Sequence, residues 1–239
     1  MLDEYYDQQR RDVMATSYQR LVRRRDGLAN WRLIRYADDF VVMVSGTREH
    51  AEALREEMAD VLAPMGLRLS SEKTRVVHVD EGFDFLSFTI RRFRKRGTNK
   101  YYVYTVPSKK AIEAIKGKVR EKTHRSTRVL ELDRLLRILN GALRGWANYF
   151  RYGVSKVVFK AVDDFTWNRV MRWIRVKYKG RNRLTMKQMR RRFCDRGWRF
   201  AHNGVVFTGA ASVTVTRYRY RGSRIPNPWQ PKPATAQAC

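Results

Sequence analysis

An Asp pair stands between two apolar runs near the start of the chain. Tyr36-Ala37-Asp38-Asp39 follows Arg32-Leu33-Ile34-Arg35 and precedes Phe40-Val41-Val42-Met43-Val44. Apolar, β-branched runs on both sides predict a β-hairpin with two carboxylates at its tip. Mg²⁺ binds a few carboxylate oxygens, keeps several waters and takes further ligands from substrate phosphates. The pair therefore fits phosphoryl-transfer chemistry, and the alternative is a polar turn, in which Asp is common.

Basic residues are concentrated in the second half of the chain. Lys and Arg number 51 against 23 Asp and Glu, a net charge of +28. Residues 1–105 carry 19 basic and 16 acidic side chains, whereas residues 106–239 carry 32 and 7. A solvated charged face usually mixes both signs, so this imbalance predicts a polyanionic partner, namely nucleic acid.

Composition disfavours several other classes of protein. The two cysteines, Cys194 and Cys239, form no Cys-x-x-Cys pair, which argues against a zinc site and a disulfide framework. No run approaches the roughly 18 apolar residues of a membrane span, and no signal-peptide pattern opens the chain. We therefore expect a cytoplasmic protein without a membrane partner. Its 239 residues, 43% hydrophobic, suffice for one or two domains.

Hydrophobic patterning predicts an α+β first part. Residues 4–24 are compatible with a helix, and residues 47–62 predict a second helix after the Asp-Asp hairpin. β-rich runs predict three more strands, at Val76–Val79, Phe83–Ile90 and Tyr101–Val106. Together these elements predict a small antiparallel sheet with helices.

The second part has mainly helical periodicity. One helix is expected to begin at Pro107, a second carries an apolar stripe from Leu132 to Phe150, and a third runs through Val158 and Trp173. Short β-like pieces follow, joined at Asn203-Gly204 by a hairpin turn.

The Asp-Asp hairpin resembles the active-site hairpin of reverse transcriptases, in the form common among group II intron proteins. Three further segments match that family in its order: Leu67–Thr74 (Leu-x-Leu-Ser-x-x-Lys-Thr), Gly82–Phe88, and Leu143–Tyr152, which resembles the maturase-specific signature. Ser87 replaces a glycine of the family pattern. The ordered set, spanning residues 31–152, is far more specific than any one motif.

The resemblance implies roles for particular residues. Asp38 and Asp39 would be catalytic and bind Mg²⁺, and Tyr36 would line the nucleotide site. Lys73 would assist the pyrophosphate leaving group, since a cation there stabilises charge that develops in the transition state.

RNA binding is expected along the basic surface. The partners would be structured intron RNA and an RNA–DNA duplex, although a solvated role stays open for each cation. The candidate RNA-binding residues are Arg91, Arg92, Arg144, Asn148, Arg151, Lys156, Lys160, Arg190, Arg191 and Arg192.

The predicted organisation follows from these matches. We expect the C-terminal half of a polymerase palm in residues 1–105, a helical thumb or maturase domain in 106–180, a basic extension in 181–225 and a disordered tail in 226–239. The chain is thus interpreted as the C-terminal part of a bacterial RNA-directed DNA polymerase and intron maturase, with a separate N-terminal polymerase fragment as a partner. Two alternatives stay open: a non-catalytic RNA-binding protein that assists splicing, and an RNA-packaging protein.

The chain by itself is predicted not to synthesise DNA. A palm needs a further metal-binding carboxylate from a strand well before the Asp-Asp hairpin, and residues 1–30 contain no such strand pattern. Incubation with primed RNA, Mg²⁺ and deoxynucleotides should give no more extension than an Asp38→Asn control. Extension that this substitution abolishes would contradict the prediction.

Overall fold

The computed structural model describes residues 2–178, 185–195 and 197–216. Contacts divide the chain into a first unit, Met1–Phe85, and a second unit, Leu86–Cys239. This division falls before the domain boundary predicted at 105/106. The reason is that the strands between these positions contact later elements: the Val154 N–H donates to the Thr105 carbonyl at 2.7 Å. The architecture mixes helices with small antiparallel sheets, in agreement with the α+β prediction.

The described residues of the first unit form three α-helices: α1 (Leu2–Met14), α2 (Ser17–Arg25) and α3 (Arg48–Leu62). Thr16 and Thr47 are the N-caps of α2 and α3, and each side chain accepts the N–H of the residue three positions later. Such caps satisfy N–H groups that a helix start leaves without partners. The prediction of a helix after the hairpin is confirmed to within one residue at its start.

The predicted hairpin is present as β1 (Asn30–Tyr36) and β2 (Asp39–Ser45). The strands pair antiparallel from Asn30 opposite Ser45 to Tyr36 opposite Asp39, which leaves a two-residue loop. One face of the hairpin packs on α1 and α3. This cluster contains buried Tyr6, Leu54 and Met58 with half-buried Trp31, Leu33, Phe40, Val42, Val44 and Leu69.

Two strand predictions are wrong. Val76–Val79 forms no strand, and its end turns back, since the His78 carbonyl accepts the N–H groups of Glu81 and Gly82. The run predicted as one strand at Phe83–Ile90 is broken into β3 (Phe83–Phe85) and β4 (Phe88–Arg94). The break arises because Leu86 and Ser87 both have positive φ, 48° and 64°, which an extended strand excludes.

A second hairpin opens the second unit. β4 pairs antiparallel with β5 (Tyr101–Pro107), from Phe88 opposite Pro107 to Arg94 opposite Tyr101. The prediction that a helix begins at Pro107 is wrong. Pro107 is the last residue of β5, and the helix begins at Lys109. Ser108 is the N-cap, and its hydroxyl accepts the Ala111 N–H at 3.2 Å.

Helices and one 3₁₀ turn form most of the second unit: α4 (Lys109–Lys122), the 3₁₀ turn Arg125–Val129, α5 (Leu132–Phe150), α6 (Lys156–Lys177) and α7 (Met186–Phe193). The apolar stripe predicted for α5 is confirmed, because seven of its side chains are buried: Leu132, Leu135, Leu136, Leu139, Leu143, Ala147 and Phe150. They share a core with residues of α4, α6 and α7. Trp146, which the sequence placed on the stripe, is half-buried.

A small third hairpin lies near the end of the described chain. β6 (Ala201–His202) and β7 (Val205–Val206) are joined by Asn203 and Gly204, both with positive φ as in a type I′ turn. This confirms the turn predicted there. The Asn140 amide on α5 holds the hairpin by donating to the Val206 carbonyl at 2.7 Å and accepting the Thr208 N–H at 2.9 Å.

Asp163 on α6 holds the segment that follows. Its two carboxylate oxygens accept the N–H groups of Ala210 and Ala211 at 2.6 and 2.8 Å. Burial raises the pKa of the Asp163 carboxyl, and the two backbone donors oppose that shift. Gly209 lies so close that a Cβ there would approach the carboxylate to 2.5 Å.

Among the described residues, no helix is long and apolar enough to span a membrane. The predicted tail at 226–239 lies outside the described residues, as do residues 181–184, 196 and 217–225 of the predicted basic extension.

We predict that Gly209→Ala destabilises the second unit more than Gly204→Ala does. Both glycines have positive φ, 69° and 74°, so both substitutions add backbone strain of about 1–2 kcal/mol. Only the Gly209 Cβ would also collide with Asp163, whereas nothing lies within 4 Å of a Cβ at Gly204. Crowding of this kind typically costs a further 1–3 kcal/mol or so. Urea unfolding of both variants measures the difference, and equal losses would contradict the proposed contact.

Candidate metal site and nucleic-acid interface

The tip of the first hairpin is a two-residue loop, Ala37–Asp38. Ala37 has φ of 52°, and positive φ at the first loop residue alone is typical of a type II′ turn. Positive φ is uncommon outside glycine and costs on the order of 1 kcal/mol. Asp38 occupies the second loop position, and Asp39 is the first residue of β2. The two adjacent carboxylates therefore project from a tight turn whose backbone conformation is constrained.

Both carboxylates lie on the surface. Asp38 and Asp39 are exposed, and their side chains form no hydrogen bond or ion pair with the part of the chain that the structure describes. Tyr36, opposite Asp39, is 64% exposed. The next pair, Arg35 and Phe40, belongs to the face that packs on the helices, where Arg35 forms an ion pair with Asp3 at 2.5 Å. The inner face anchors the hairpin and leaves the Asp pair in solvent.

This donor set fits an open Mg²⁺ site. Carboxylate oxygens are the ligands that Mg²⁺ prefers, and one or two of them suffice when waters and substrate phosphates complete the shell. Within the described ranges, no three Asp, Glu, His or Cys side chains are grouped so as to hold a metal ion. The hairpin therefore presents two carboxylates with the right chemistry, and their binding of Mg²⁺ stays a prediction.

Lys73 lies in a hydrogen-bonded turn of the same unit. The Ser70 carbonyl accepts the N–H groups of Lys73 and Thr74 at 3.2 and 2.8 Å, and the Lys73 side chain is exposed. Its predicted role at the leaving group stays a prediction.

The three polar residues predicted on one outer face of α5 have different environments. Arg144 and Asn148 are exposed, one helical turn apart. Arg151 is the C-cap and is half-buried: its Nη2 donates to the Thr216 hydroxyl at 3.3 Å, and its guanidinium lies 5.8 Å from the Tyr152 ring centroid. Arg144 and Asn148 can meet a ligand directly, whereas Arg151 also holds the C-terminal segment.

The remaining basic candidates of the helical region are all exposed. Lys156 and Lys160 lie in the first turns of α6, and Arg190, Arg191 and Arg192 lie on α7. Two of these arginines already contact rings: Arg190 is 4.8 Å from the centroid of Trp198, and Arg192 is 5.5 Å from that of Tyr178. Such contacts keep the cation in place while leaving it charged.

Arg91 and Arg92 project from opposite faces of β4, since neighbouring residues of a strand alternate. Arg91 lies 5.2 Å from the Phe93 ring centroid, and Arg92 lies 5.7 Å from that of Tyr101. Both faces of this hairpin therefore combine cations with exposed aromatic rings.

A further basic group, on α4 and α6, was not among the predicted sites. The guanidinium of Arg120 lies 5.3 Å from the Phe165 ring centroid, and Arg169 donates from Nε to the Thr123 hydroxyl at 3.0 Å. Burial lowers the pKa of Arg169, and the nearby cations Arg172 and Arg120 lower it further. The sequence signal was weak, because only the packing of α4 on α6 brings these cations together.

Segments in both parts of the chain match known protein families. Residues 11–90 match the reverse transcriptase (RNA-dependent DNA polymerase) model, and residues 112–193 match the model of the group II intron maturase-specific domain. The first match contains the Asp-Asp hairpin and the turn that carries Lys73. The second contains α5, α6 and α7. These matches confirm the family resemblance stated from the motifs.

Two curated relatives agree with these matches. The chain is 46% identical over 78 residues to Protein YkfC of Escherichia coli K12, covering 32% of this chain and 20% of that protein. It is 34% identical over 70 residues to the group II intron-encoded protein LtrA of Lactococcus lactis subsp. cremoris, covering 29% of this chain and 12% of LtrA. The matched segments thus span at most a fifth of these relatives.

Proposed function

We propose that the chain acts in RNA-directed DNA synthesis and intron maturation, because residues 11–90 match the reverse transcriptase model and residues 112–193 match the model of the group II intron maturase-specific domain. The first unit contributes part of a polymerase palm, and the second acts as a thumb and intron-RNA-binding domain. The observation that carries this proposal is the exposed Asp-Asp tip within the segment that matches a polymerase family.

In the proposed reaction, Asp38 and Asp39 would hold Mg²⁺ at the hairpin tip. The ion would supply neutralisation of the phosphate charge there. Tyr36, exposed beside Asp39, offers a ring against which the incoming nucleotide is positioned. Lys73 places a positive charge near the departing pyrophosphate. A further carboxylate for a two-metal site would come from the separate N-terminal fragment.

RNA binding by the second unit rests on charge and exposure. Residues 106–239 hold 25 more basic than acidic side chains. The predicted contacts Arg144, Asn148, Lys156 and Lys160 are all exposed. When such cations neutralise RNA phosphates, counterions are released. This release contributes affinity that does not depend on the RNA sequence.

A second candidate function is a non-catalytic RNA-binding protein that assists splicing. The observation that favours it is the incomplete donor set of the Asp-Asp tip: the two carboxylates have no third metal-binding group beside them within the described residues. Both functions share the same RNA-binding unit, so the test of catalysis decides between them.

We predict that the chain binds structured intron RNA with a steep salt dependence. If six or more phosphates are contacted, affinity should fall about a thousandfold or more between roughly 50 and 200 mM salt. Arg144→Ala should weaken binding and reduce the slope of log K against log salt by about one, because one phosphate contact is lost. Fluorescence anisotropy with labelled RNA measures both quantities.

Arg137→Ala is the matched control for this experiment. Arg137 lies on the same helix and faces an ion-pair partner, Asp133, at 3.7 Å. Its loss should change RNA affinity less than the loss of Arg144, whose guanidinium has no ion-pair partner in the described chain. A salt-independent affinity would count against the second unit as an RNA-binding domain.

We also predict that catalysis can be reconstituted from two fragments. A separate fragment that carries the fingers and first palm strands of a close relative should restore Mg²⁺-dependent primer extension when mixed with this chain. Asp38→Asn should abolish the restored activity, because a neutral amide is a poor Mg²⁺ ligand. Lys73→Ala should reduce activity less, since a cation assists the leaving group without binding the metal.

Asp60→Asn makes the same charge change on an exposed residue of α3 and serves as the control. It should leave extension unchanged. Activity that survives Asp38→Asn at the Asp60→Asn level would remove the hairpin from catalysis and favour the splicing-assistance function.

A further inference from the structure

A column of rings leads from the core of the second unit to its surface. Phe200 is buried and stacks on Trp167, with ring centroids 5.5 Å apart and planes at 22°. The ring centroid of Trp198 lies 6.3 Å from that of Trp167, and Trp198 is 40% exposed. The guanidinium of Arg190, on α7, lies 4.8 Å from the Trp198 ring centroid. The column therefore ends at a large, partly exposed aromatic ring with a cation over it.

Hydrogen bonds specify the backbone that presents this ring. The Asp195 carboxylate accepts the N–H groups of Gly197 and Arg199 at 2.9 and 3.0 Å and pairs with the Arg199 guanidinium at 2.6 Å. The Trp167 indole N–H donates to the Trp198 carbonyl at 3.1 Å. Trp198 is thus pre-positioned, so little side-chain or backbone freedom remains to be lost when a ligand binds.

The backbone itself does not favour tryptophan at this position. Trp198 has φ of 62°, a left-handed conformation that Gly and Asn adopt at least cost and that is an outlier for a bulky residue. Residues held in such conformations cluster at ligand-binding sites, where the surrounding structure compensates the strain. An exposed tryptophan here points to a role for the ring in binding.

The charge of α7, whose Arg190 contacts the ring, indicates the kind of ligand. Lys187, Arg190 and Arg191 are exposed on α7, which contains no acidic residue. The nearby carboxylate of Asp195 is already paired with Arg199. A ligand that combines a flat aromatic surface with adjacent negative charge fits this combination, and a strand of nucleic acid with an unstacked base is such a ligand.

We propose that Trp198 stacks against an unpaired base of the bound RNA, while the cations of α7 contact the flanking phosphates. This inference rests on the proposed RNA-binding function of the second unit and adds a requirement to it: the RNA must contain a single-stranded loop or bulge at this point. Bases inside an A-form duplex are already stacked on each other, so they present no face to the ring.

The test compares two RNA ligands with the full chain. One is a hairpin RNA with an unpaired loop, and the other is a fully paired duplex of the same length. Trp198→Asn removes the ring and suits the positive φ, so the turn is retained; circular dichroism confirms the fold. Trp198→Phe keeps an aromatic face.

Trp198→Asn should weaken binding of the looped RNA by roughly 5- to 150-fold, the range for loss of one stacked base. Its affinity for the duplex should stay within about twofold of the unsubstituted chain. The salt slope should not change, because the indole releases no counterions. Trp198→Phe should retain most of the affinity for the loop.

Two results would overturn the inference, and they are distinguishable. If the unsubstituted chain binds neither RNA, the RNA-binding function fails and the stacking site fails with it. If that chain binds RNA with a steep salt slope but Trp198→Asn binds the loop equally well, or weakens loop and duplex alike, only the stacking site is excluded. A Trp198→Phe variant as weak as Trp198→Asn would equally exclude stacking.

Discussion

Burial of the α5 stripe is the interaction on which the second unit depends. Seven apolar side chains of one helix are buried, and each of the six that are Leu or Phe contributes about 1.5–3 kcal/mol when fully removed from water. This burial works against the mutual repulsion of a half-chain with net charge +25. Because the core occupies one side of each helix, most Lys and Arg side chains of these helices are exposed on the other sides. The same packing that stabilises the unit therefore produces its basic surface.

Not every cation on that surface is equally available to a ligand. Arg192 contacts the Tyr178 ring, and Arg169 donates to Thr123 at the C-terminal end of α4. Arg151 binds Thr216. These arginines join elements of the fold as well as adding positive charge. Arg144 and Lys160 make no such contact in the described chain, so their substitution separates binding from folding more cleanly.

In the first unit, packing and exposure are separated on one hairpin, between its inner face and its tip. The inner face packs on α1 and α3 through rings such as Trp31, which lies 5.0 Å from Tyr6 in an edge-to-face contact. The tip then needs no contacts of its own, and Asp38 and Asp39 stay exposed. The positive φ of Ala37 indicates that the tight turn is imposed by the paired strands.

The sequence by itself determined the hairpin, the helix capped by Thr47 and the apolar stripe of α5, because each depends on local periodicity and capping chemistry. Motifs in a fixed order also gave the resemblance to group II intron reverse transcriptases, which the matches over residues 11–90 and 112–193 confirm. Only the tertiary structure decided that Val76–Val79 is not a strand, since a β-rich run needs a partner strand to pair with. Likewise, Arg151 contacts Thr216, which lies 65 positions away in the chain, and is half-buried. The position of Trp198 depends on Trp167, which lies 31 positions away. Such long-range contacts leave no periodic signal in the sequence.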